Sequence, residues 1–568
     1  MRQTLMDTDT SPILQVQNLN LGFNMRQGMV NVLHGISFDL HRGKTTCVVG
    51  ESGSGKSITA RAILNMVPRP GTINSGQILF NPDGSGQINL TSLDPRGKPI
   101  RKIRGGRIGM IFQEPMSSLS PIHTIGNQIT EVIQLHRNVG KKTARQMAIA
   151  ALAQVEIPKP EKAVDRYAFE YSGGMRQRAM IAMALSCQPD VLIADEPTTA
   201  LDVTTQAEIL DLMKSLQREL DTAIMFITHD MGVVAEIADE VVVMEKGNVV
   251  EKGNIHQVYN APQHVYTKKL LTAVKRLNQP ASTKVRPCTQ AQNILQIRDL
   301  SLRFEKKEGF FQRITDVTKA VDGVSFDLKE GESLGIVGES GSGKTTLGRC
   351  IARVYDPNSG VINYKGQDLM QANASALRET RKRMRMIFQD PFASLNPRMT
   401  VKQIIAEPLI INKLANLAEL EEIVSTILSQ VGLDPNMMER YPHAFSGGQR
   451  QRIVIARAIA LKPELIIADE PTSALDVSIR TQVLDLLLQL QAEMGLSFIF
   501  ISHDMAVIRY FCDRVAVMYR GQIVEIGETE QIITSPQHPY TKALLSSVPI
   551  PDPTLRGTRQ RHRYEPDS

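Results

Sequence analysis

Short apolar runs that end in glycine are the clearest pattern along the chain, and they predict buried strands. TTCVVG (45–50) and SLGIVG (333–338) are rich in β-branched and apolar residues. Each run is followed, after a glycine-rich turn, by a segment with helical patterning, at 57–67 and 345–355. Because a strand that is buried on both faces needs apolar residues throughout, these runs indicate parallel strands, each leading into a helix.

The same pattern occurs twice in one chain. ILQVQNLNLGF (13–23) recurs as ILQIRDLSLRF (294–304), and PQHVYTKKLL (262–271) recurs as PQHPYTKALL (536–545). A period of more than 270 residues is too long for a solenoid repeat and indicates duplication of a whole domain with its own core. We therefore predict a first domain at 1–275, a polar linker at 276–293, a second domain at 294–550 and a basic tail at 551–568.

Composition narrows the function classes only moderately. Of the 568 residues, 42% are hydrophobic and 22% are charged, and the net charge of +6 permits an anionic partner without requiring one. No run of 18 or more apolar residues occurs, so we expect no membrane-spanning helix. The five cysteines have no paired spacing, which favours a reducing cytoplasm over a disulfide framework.

The turns after the two glycine-ended strands have the G-x4-G-K-[ST] pattern of a phosphate-binding loop, or P-loop. Glycines let successive N–H groups point inward, and the following helix N-terminus favours an anion. The lysine would contact the β- and γ-phosphates, and the following hydroxyl would ligate Mg²⁺. The predicted ATP-binding residues are Gly50, Glu51, Ser52, Gly53, Ser54, Gly55, Lys56 and Ser57, and Gly338, Glu339, Ser340, Gly341, Ser342, Gly343, Lys344 and Thr345.

Two further apolar strands, VLIADE and LIIADE, end in a pair of acidic residues. Asp195 and Asp469, the first acid of each pair, suit the Mg²⁺ shell, as Ser57 and Thr345 do. The second acids, Glu196 and Glu470, can align an attacking water as general bases. We predict these two glutamates to be catalytic.

At this point the motifs resemble those of the ATP-binding cassette (ABC) ATPases. SGGMRQR and SGGQRQR each precede an acidic strand, as the signature motif does in that family. By the same resemblance, Gln113 and Gln389 are Q-loop residues that bind nucleotide and metal, and His229 and His503 are catalytic histidines. All these motifs occur in order in both copies, so we predict two hydrolytic sites.

The resemblance implies the fold and the way in which the copies cooperate. Each copy is expected to be an α/β P-loop NTPase domain with an antiparallel β subdomain and a helical subdomain, and the two copies are expected to face head to tail as an internal pseudo-dimer. Each ATP would then lie between the P-loop of one copy and the signature of the other. Ser446, Gly447 and Gly448 would complete the Lys56 site, and Ser172, Gly173 and Gly174 the Lys344 site.

Two features of the sequence leave questions open at this stage. Met175 stands where the family usually has glutamine, which could make the two sites slightly unequal. Phe23 and Phe304 end the first predicted strand of each copy and could stack on adenine or belong to the core.

The peptide and nickel uptake subfamily is the nearest resemblance, on IFQDPFASLNPRMTV and PQHPYTKALL. It implies the energy-coupling ATPase of an importer for peptides (glutathione, dipeptide or oligopeptide), peripheral on the cytoplasmic face of the inner membrane. The partners would be two transmembrane permeases, which contact segments 114–126 and 390–400, and indirectly a solute-binding protein.

The alternative is a soluble double-cassette ATPase that acts on ribosomes or nucleic acid. The short, proline-bearing linker argues against it, as does the lack of any block of five or more Lys or Arg. With 11 Tyr, 16 Phe and no Trp, an extensive base-stacking platform is not indicated. We therefore expect no nucleic-acid partner.

Overall fold

The structure is a computed structural model that describes residues 11–26, 28–84, 86–114, 118–199, 201–281, 292–308, 313–416, 418–473, 475–558 and 560–564. The described chain forms two compact units, each containing one copy of the duplicated sequence. The first comprises described residues within 1–201, 205–271 and 549–559, and the second those within 202–204, 272–548 and 560–568. Most of the predicted linker, 282–291, and positions 115–117 of the first predicted permease-contacting segment lie outside the described residues.

The first unit is built on two β-sheets. Its strands are β1 (Leu14–Met25), β2 (Gly28–Leu40), β3 (Thr45–Val49), β4 (Gly71–Phe80), β5 (Ile88–Asn89), β6 (Ile108–Ile111), β7 (Val191–Asp195), β8 (Ala223–Thr228), β9 (Glu240–Glu245) and β10 (Asn248–Asn254). One sheet is antiparallel, with the order β2-β1-β4-β5. The other has the order β10-β9-β3-β8-β7-β6 and is parallel except for β10.

Helices surround the six-stranded sheet and fill the segment between Gln113 and Ser172. The α-helices described between residues 56 and 277 are α1 (Lys56–Ile63), α2 (Lys98–Ile103), α3 (Ile125–His136), α4 (Lys141–Gln154), α5 (Pro160–Ala163), α6 (Gly173–Leu185), α7 (Val203–Leu220), α8 (Met231–Ile237), α9 (Ile255–Asn260) and α10 (Val265–Leu277). Thr124 caps α3 by accepting from the N–H of Asn127, and Asp230 caps α8 in the same way.

The second unit repeats this architecture. Its strands are β11 (Asn293–Glu308), β12 (Arg313–Lys329), β13 (Ser333–Val337), β14 (Ser359–Tyr364), β15 (Gln367–Asp368), β16 (Met384–Ile387), β17 (Leu465–Asp469), β18 (Ser497–Ile501), β19 (Arg514–Tyr519) and β20 (Gln522–Glu528). The strand orders are β12-β11-β14-β15 and β16-β17-β18-β13-β19-β20, the same neighbours as in the first unit. The prediction of an α/β core with an antiparallel β subdomain is therefore confirmed in both units.

The helices of the second unit follow the same sequence of elements. The α-helices described from residue 344 onward are α11 (Lys344–Ile351), α12 (Ala374–Arg383), α13 (Pro391–Ser394), α14 (Val401–Ile411), α15 (Leu420–Gln430), α16 (Gly447–Ile459), α17 (Val477–Met494), α18 (Met505–Phe511), α19 (Thr529–Thr534) and α20 (Pro539–Ser547). In both units several helices lie between the Q-loop glutamine and the signature serine, as the predicted helical subdomain requires. Among the described residues, no helix combines the length and the apolar character needed to cross a bilayer.

The parallel sheet determines where functional side chains meet. Strands β3 and β7 are buried at all five positions, and each pairs in parallel with β8, which lies between them. Parallel neighbours end at the same edge of a sheet, and ligands bind at that edge in open α/β folds. The P-loop and His229 follow directly after β3 and β8, and the acidic pair lies at the end of β7, so the sheet brings them together.

Candidate functional site

The P-loop of each unit depends on glycines in left-handed backbone conformations. Gly50, Gly53 and Gly55 have φ of 154°, 80° and 100°, and the glycines of the second loop have nearly the same values. A Cβ on Gly50 would stand 2.2 Å from the carbonyl oxygen of Met244, so only glycine lets the loop pass so close to β9. The sequence prediction of a backbone-lined loop agrees with this geometry.

The loop lysines are buried and folded back on their own loops. Lys56 Nζ donates to Gly50 O at 2.8 Å and to Glu51 O at 2.9 Å. Lys344 Nζ makes the equivalent bonds to Gly338 O at 2.8 Å and Glu339 O at 2.7 Å. Burial lowers the pKa of Lys344, and nearby carboxylates oppose that shift. A buried ammonium on neutral carbonyls is well placed to exchange them for phosphate oxygens, which make stronger, charge-assisted bonds.

The hydroxyl after each lysine meets the aspartate at the end of the acidic strand. Ser57 Oγ donates to Asp195 Oδ1 at 2.9 Å, and Thr345 Oγ1 donates to Asp469 Oδ1 at the same distance. Burial raises the pKa of both aspartates, and the hydroxyl bonds only partly offset this. A hydroxyl and a carboxylate are oxygen ligands of the kind that Mg²⁺ prefers, so these pairs fit the predicted metal site.

Glu196 receives three side chains at its carboxylate. Gln113 Nε2 donates to Oε2 at 2.8 Å, Thr199 Oγ1 donates to the same oxygen at 2.9 Å, and His229 Nδ1 lies 3.1 Å from Oε1. Burial alone would raise the pKa of Glu196, but His229 and Thr199 outweigh it and lower the pKa to about 2. The carboxylate thus stays ionised at neutral pH, as the alignment of a water molecule requires.

The backbone at this glutamate is also unusual. Glu196 and Glu470 both have φ of 47°, in the left-handed region that residues with a side chain rarely adopt. Each conformation is held by a bond to the adjacent strand, because Glu196 N–H donates to Ile227 O at 3.0 Å and Glu470 N–H to Ile501 O at 2.9 Å. Other non-glycine residues of the described chain, such as Lys246 and Arg520, adopt the same region, so this conformation accompanies the site without identifying it.

The second unit repeats the carboxylate cluster with one difference. Gln389 Nε2 donates to Glu470 Oε2 at 2.9 Å, and His503 Nδ1 lies 3.0 Å from Oε1. Burial alone would raise the pKa of Glu470 and lower that of His503. The contacts outweigh burial, so the pKa of Glu470 is lowered and that of His503 is raised. Ser473, the counterpart of Thr199, donates to the backbone oxygen of Glu470 instead of its carboxylate. Sequence analysis missed this pair, although the repeated ADEPT segment could have pointed to it.

The signature serines cap the helices that follow them. Ser172 accepts from Met175 N–H and Ser446 from Gln449 N–H, both at 3.3 Å. In the second unit, Gln449 Oε1 also accepts from Ser446 N–H at 3.0 Å and completes a capping box. Met175 has no oxygen that could do this, so the departure noticed in the sequence has a local structural consequence. The contacts described here are local, and the pairing of each signature with the opposite P-loop stays a prediction.

The two candidate adenine-stacking phenylalanines differ in their surroundings. Phe23 is partly buried and packs against the core of the first unit. Phe304 is 44% exposed, and its ring meets Tyr355 edge-on at 5.7 Å between centroids. The core alternative therefore suits Phe23 better than Phe304, and stacking on adenine stays a prediction.

Comparison with known protein families matches both units. The ABC transporter family model matches residues 33–199 and 321–473. The model described as the C-terminal region of oligopeptide/dipeptide transporters matches residues 250–301 and 524–567. The first pair of matches contains both P-loops and both acidic strands, and the second pair contains both copies of the PQH-x-YT segment.

Known relatives align with nearly the whole chain. The Glutathione import ATP-binding protein GsiA of Pectobacterium atrosepticum is 47% identical over 573 residues, which cover 96% of this chain and 91% of the relative. The proteins of the same name from Escherichia coli K12 and Salmonella typhimurium are also 47% identical, over 96% and 98% of this chain. These alignments extend through both units, so the similarity concerns the duplicated arrangement as well as each copy.

Proposed function

Because the chain belongs to the ABC transporter family and has the C-terminal region of its oligopeptide/dipeptide branch, we propose that it is the ATP-hydrolysing subunit of a peptide importer. One observation carries the proposal: each unit assembles a P-loop lysine, a hydroxyl–aspartate pair and a glutamate–histidine pair at one sheet edge. The relatives are named for glutathione import, which makes glutathione the first substrate to test.

The roles of the site residues follow from their contacts. When ATP binds, Lys56 and Lys344 exchange the loop carbonyls for the β- and γ-phosphates. Mg²⁺ would be held by Ser57, Asp195 and Gln113 in the first unit and by Thr345, Asp469 and Gln389 in the second, where it would neutralise phosphate charge. Glu196 and Glu470 orient the attacking water and accept its proton, and His229 and His503 fix these carboxylates through their Nδ1 atoms.

We infer that the nucleotide also joins the two domains, whose proposed limits are 1–275 and 294–550. The N–H groups after Ser446 would bind the γ-phosphate at the Lys56 site, and those after Ser172 would do so at the Lys344 site. ATP would therefore favour a closed pair, and loss of the γ-phosphate would release it. This cycle gives a reason for two complete cassettes in one chain.

The proposed partners are two transmembrane permeases, which the chain would contact from the cytoplasmic face of the inner membrane, and, through them, a solute-binding protein. Each predicted permease-contacting segment exposes a large apolar side chain, Ile122 at 77% and Phe392 at 63%. The guanidinium of Arg450 lies 3.9 Å from the centre of the Phe392 ring. Exposed apolar side chains beside the Q-loops suit contact with membrane subunits. The ribosomal alternative is not favoured, because the near full-length relatives are named for import.

The test is transport in proteoliposomes that contain the chain with its permeases and solute-binding protein. The wild type should take up glutathione only with ATP, and Glu196→Gln with Glu470→Gln should reduce uptake and hydrolysis by roughly 100-fold or more while ATP still binds. Glu131→Gln, on an exposed face of α3, is the matched control and should leave both unchanged. Hydrolysis that responds to ribosomes and never to permeases would contradict the proposal.

A further inference from the structure

We propose that Tyr266 and Tyr540 are positioning residues that hold the P-loops in their phosphate-binding shape. They belong to the recurring PQH-x-YT segments, for which the ATPase mechanism gives no role. The inference rests on the proposed function, because it concerns how the same P-loops bind ATP.

The contact is a hydrogen bond from the loop backbone to the phenol oxygen. Glu51 N–H donates to Tyr266 Oη at 2.9 Å, and Glu339 N–H donates to Tyr540 Oη at 3.1 Å. Both tyrosines are buried, and each lies more than 200 residues away from the loop that it contacts. The same long-range bond in both units points to a function of the segment beyond filling the core.

The hydrogen bond is made by the N–H of Glu51, close to where the P-loop leaves strand β3. The carbonyl of Glu51 accepts from Lys56 Nζ, while its N–H is bound by Tyr266, so the two sides of this residue have different partners. When Lys56 turns towards phosphate, the carbonyl loses its partner but the N–H keeps its own. Tyr266 therefore holds the entry to the loop both with and without ATP.

The neighbouring glycine explains why this point needs to be fixed. Gly50 adopts φ of 154°, and a glycine has more backbone conformations open to it than other residues, so the loop can change direction there unless a neighbour holds it. A loop that is already ordered binds its ligand more tightly, because less conformational entropy is lost on binding. The hydroxyl of Tyr266 accepts a hydrogen bond from the N–H of Glu51, the residue after Gly50, and so restricts this freedom.

The rest of the segment fixes the tyrosine itself. Glu251 accepts from the N–H groups of Gln263 at 2.8 Å and His264 at 3.0 Å, and His264 Nδ1 accepts from Tyr266 N–H at 3.2 Å. The turn therefore starts helix α10 with the phenol directed at the P-loop. These contacts use the imidazole of His264 and the hydroxyl of Tyr266, which explains why histidine and tyrosine recur together in the segment.

The second unit has the same set of contacts. Glu525 accepts from Gln537 N–H at 2.8 Å and from His538 N–H at 3.0 Å, and His538 Nδ1 accepts from Tyr540 N–H at 3.1 Å. The oligopeptide/dipeptide C-terminal region thus contributes a contact to each P-loop, and the inference applies to both sites.

The experiment uses the full chain with one site disabled, so that a single affinity is measured. In a Lys344→Ala background, Tyr266→Phe keeps the ring and removes only the hydroxyl. We expect the Kd for a fluorescent ATP analogue to rise by about three- to tenfold, because Glu51 N–H loses the hydroxyl that it bonds and the P-loop becomes less ordered before ATP binds. Exchange of the amides in a peptide spanning 47–58 should become faster, as measured by hydrogen–deuterium exchange.

Two control variants separate this role from general packing. Tyr540→Phe in the same background alters only the contact at the disabled site and should leave the Kd within twofold. Thr222→Val removes a buried hydroxyl that donates to Pro189 O, just before β8 and at the opposite end of that strand from His229, and should lower the melting temperature while leaving the Kd within twofold. If Tyr266→Phe changes only the melting temperature, the residue is structural and the inference is wrong.

The proposed function has a separate readout in the same series. Lys56→Ala combined with Lys344→Ala should abolish binding of the ATP analogue. If binding persists, the P-loop assignment fails whatever the tyrosine variants show. If binding is lost but Tyr266→Phe changes neither affinity nor amide exchange, the P-loop assignment stands and the positioning role is overturned.

Discussion

At the scale of single residues, the glutamate after each acidic strand is held by both its backbone and its side chain. Glu196 combines a left-handed backbone with three side-chain partners on its carboxylate. None of these partners is near it in sequence except Thr199. A partly buried carboxylate with this many donors is held in one orientation and one charge state, which suits a group that must direct a water molecule at a phosphate.

The lowered pKa of Glu196 predicts how stability should depend on pH. A carboxyl whose pKa falls from 4.5 to about 2 on folding stabilises the folded state above pH 4.5, and the contribution is lost as pH falls towards 2. Its upper size is on the order of 3 kcal/mol. The free energy of unfolding of the wild type, measured by denaturant titration, should therefore exceed that of Glu196→Gln most at pH 6–7, and the difference should shrink by pH 3.

The comparison with Glu196→Gln removes the contribution of all other carboxyl groups, because both proteins share them. Thr199→Val provides a further control, since it leaves the carboxylate but removes one donor, and it should show a smaller pH-dependent difference. Parallel stability curves for the wild type and Glu196→Gln between pH 7 and pH 3 would contradict the assigned contacts.

At the scale of elements, local sequence was sufficient where the chain alone dictates conformation. The glycine pattern of the P-loops, the apolar strands β3 and β7 and the signature helices α6 and α16 all lie where the pattern placed them. The repeated segments around Thr199 and Tyr266 could draw attention to these residues, but their bonds to Glu196 and Glu51 could not be predicted from the repeat. They depend on the exact rotamer of a hydroxyl and on pairing across more than 200 residues, and neither leaves a periodic trace in the sequence.

The two signature helices allow a reciprocal test of capping. Met175→Gln in the first unit should create the capping box that Gln449 forms in the second, and should raise the free energy of unfolding by about 0.5–1 kcal/mol. Gln449→Met should lower it by a similar amount, because Ser446 N–H loses its acceptor. Differential scanning calorimetry on both variants provides the measurement, and a Met175→Gln protein no more stable than the wild type would contradict the capping argument.

At the scale of the whole molecule, the proposed crossed arrangement makes each ATP site depend on residues of both copies. The proposed crossed arrangement assigns Ser446 to the Lys56 site and Ser172 to the Lys344 site. Ser446→Arg should therefore weaken photolabelling by 8-azido-ATP in the first half by tenfold or more, in the range expected when a γ-phosphate contact is lost. Proteolytic cleavage in the linker separates the two labelled halves. Ser172→Arg is the mirror control and should weaken labelling of the second half. Loss of label only from the second half in Ser446→Arg would rule out the crossed arrangement.

At the end of the sequence, the order of the chain does not predict the unit to which the residues belong. Residues 549–559 follow the second copy but belong to the first compact unit. There the Arg556 guanidinium donates to Ala238 O at 2.9 Å, Asp239 Oδ1 at 3.1 Å and Ile237 O at 3.3 Å. A basic, polar end of the chain gave no periodic pattern from which this contact could be predicted.

Asp239 connects this contact to the site. Its other carboxylate oxygen accepts from Thr45 N–H at 2.8 Å, at the start of β3, the strand that leads into the first P-loop. Arg556→Ala should thus lower the free energy of unfolding of the first unit by about 1 kcal/mol, a modest value because both side chains are about one-third exposed. Arg563→Ala, at an exposed position nearby in sequence, should have no effect.

A double-mutant cycle with Asp239→Asn separates the ion pair from the carbonyl contacts. If the pair is coupled, the effects of Arg556→Ala and Asp239→Asn on the free energy of unfolding should sum to more than the effect of the double variant, by about 0.5–1 kcal/mol. In Asp239→Asn, the bonds from Arg556 to the carbonyl oxygens of Ile237 and Ala238 should persist. The contacts of Arg556 that are lost in Asp239→Asn should therefore cost less free energy of unfolding than those lost in Arg556→Ala. Strict additivity would show that Arg556 holds the C-terminal segment through its bonds to the backbone carbonyls of Ile237 and Ala238, and that its ion pair with Asp239 contributes nothing measurable.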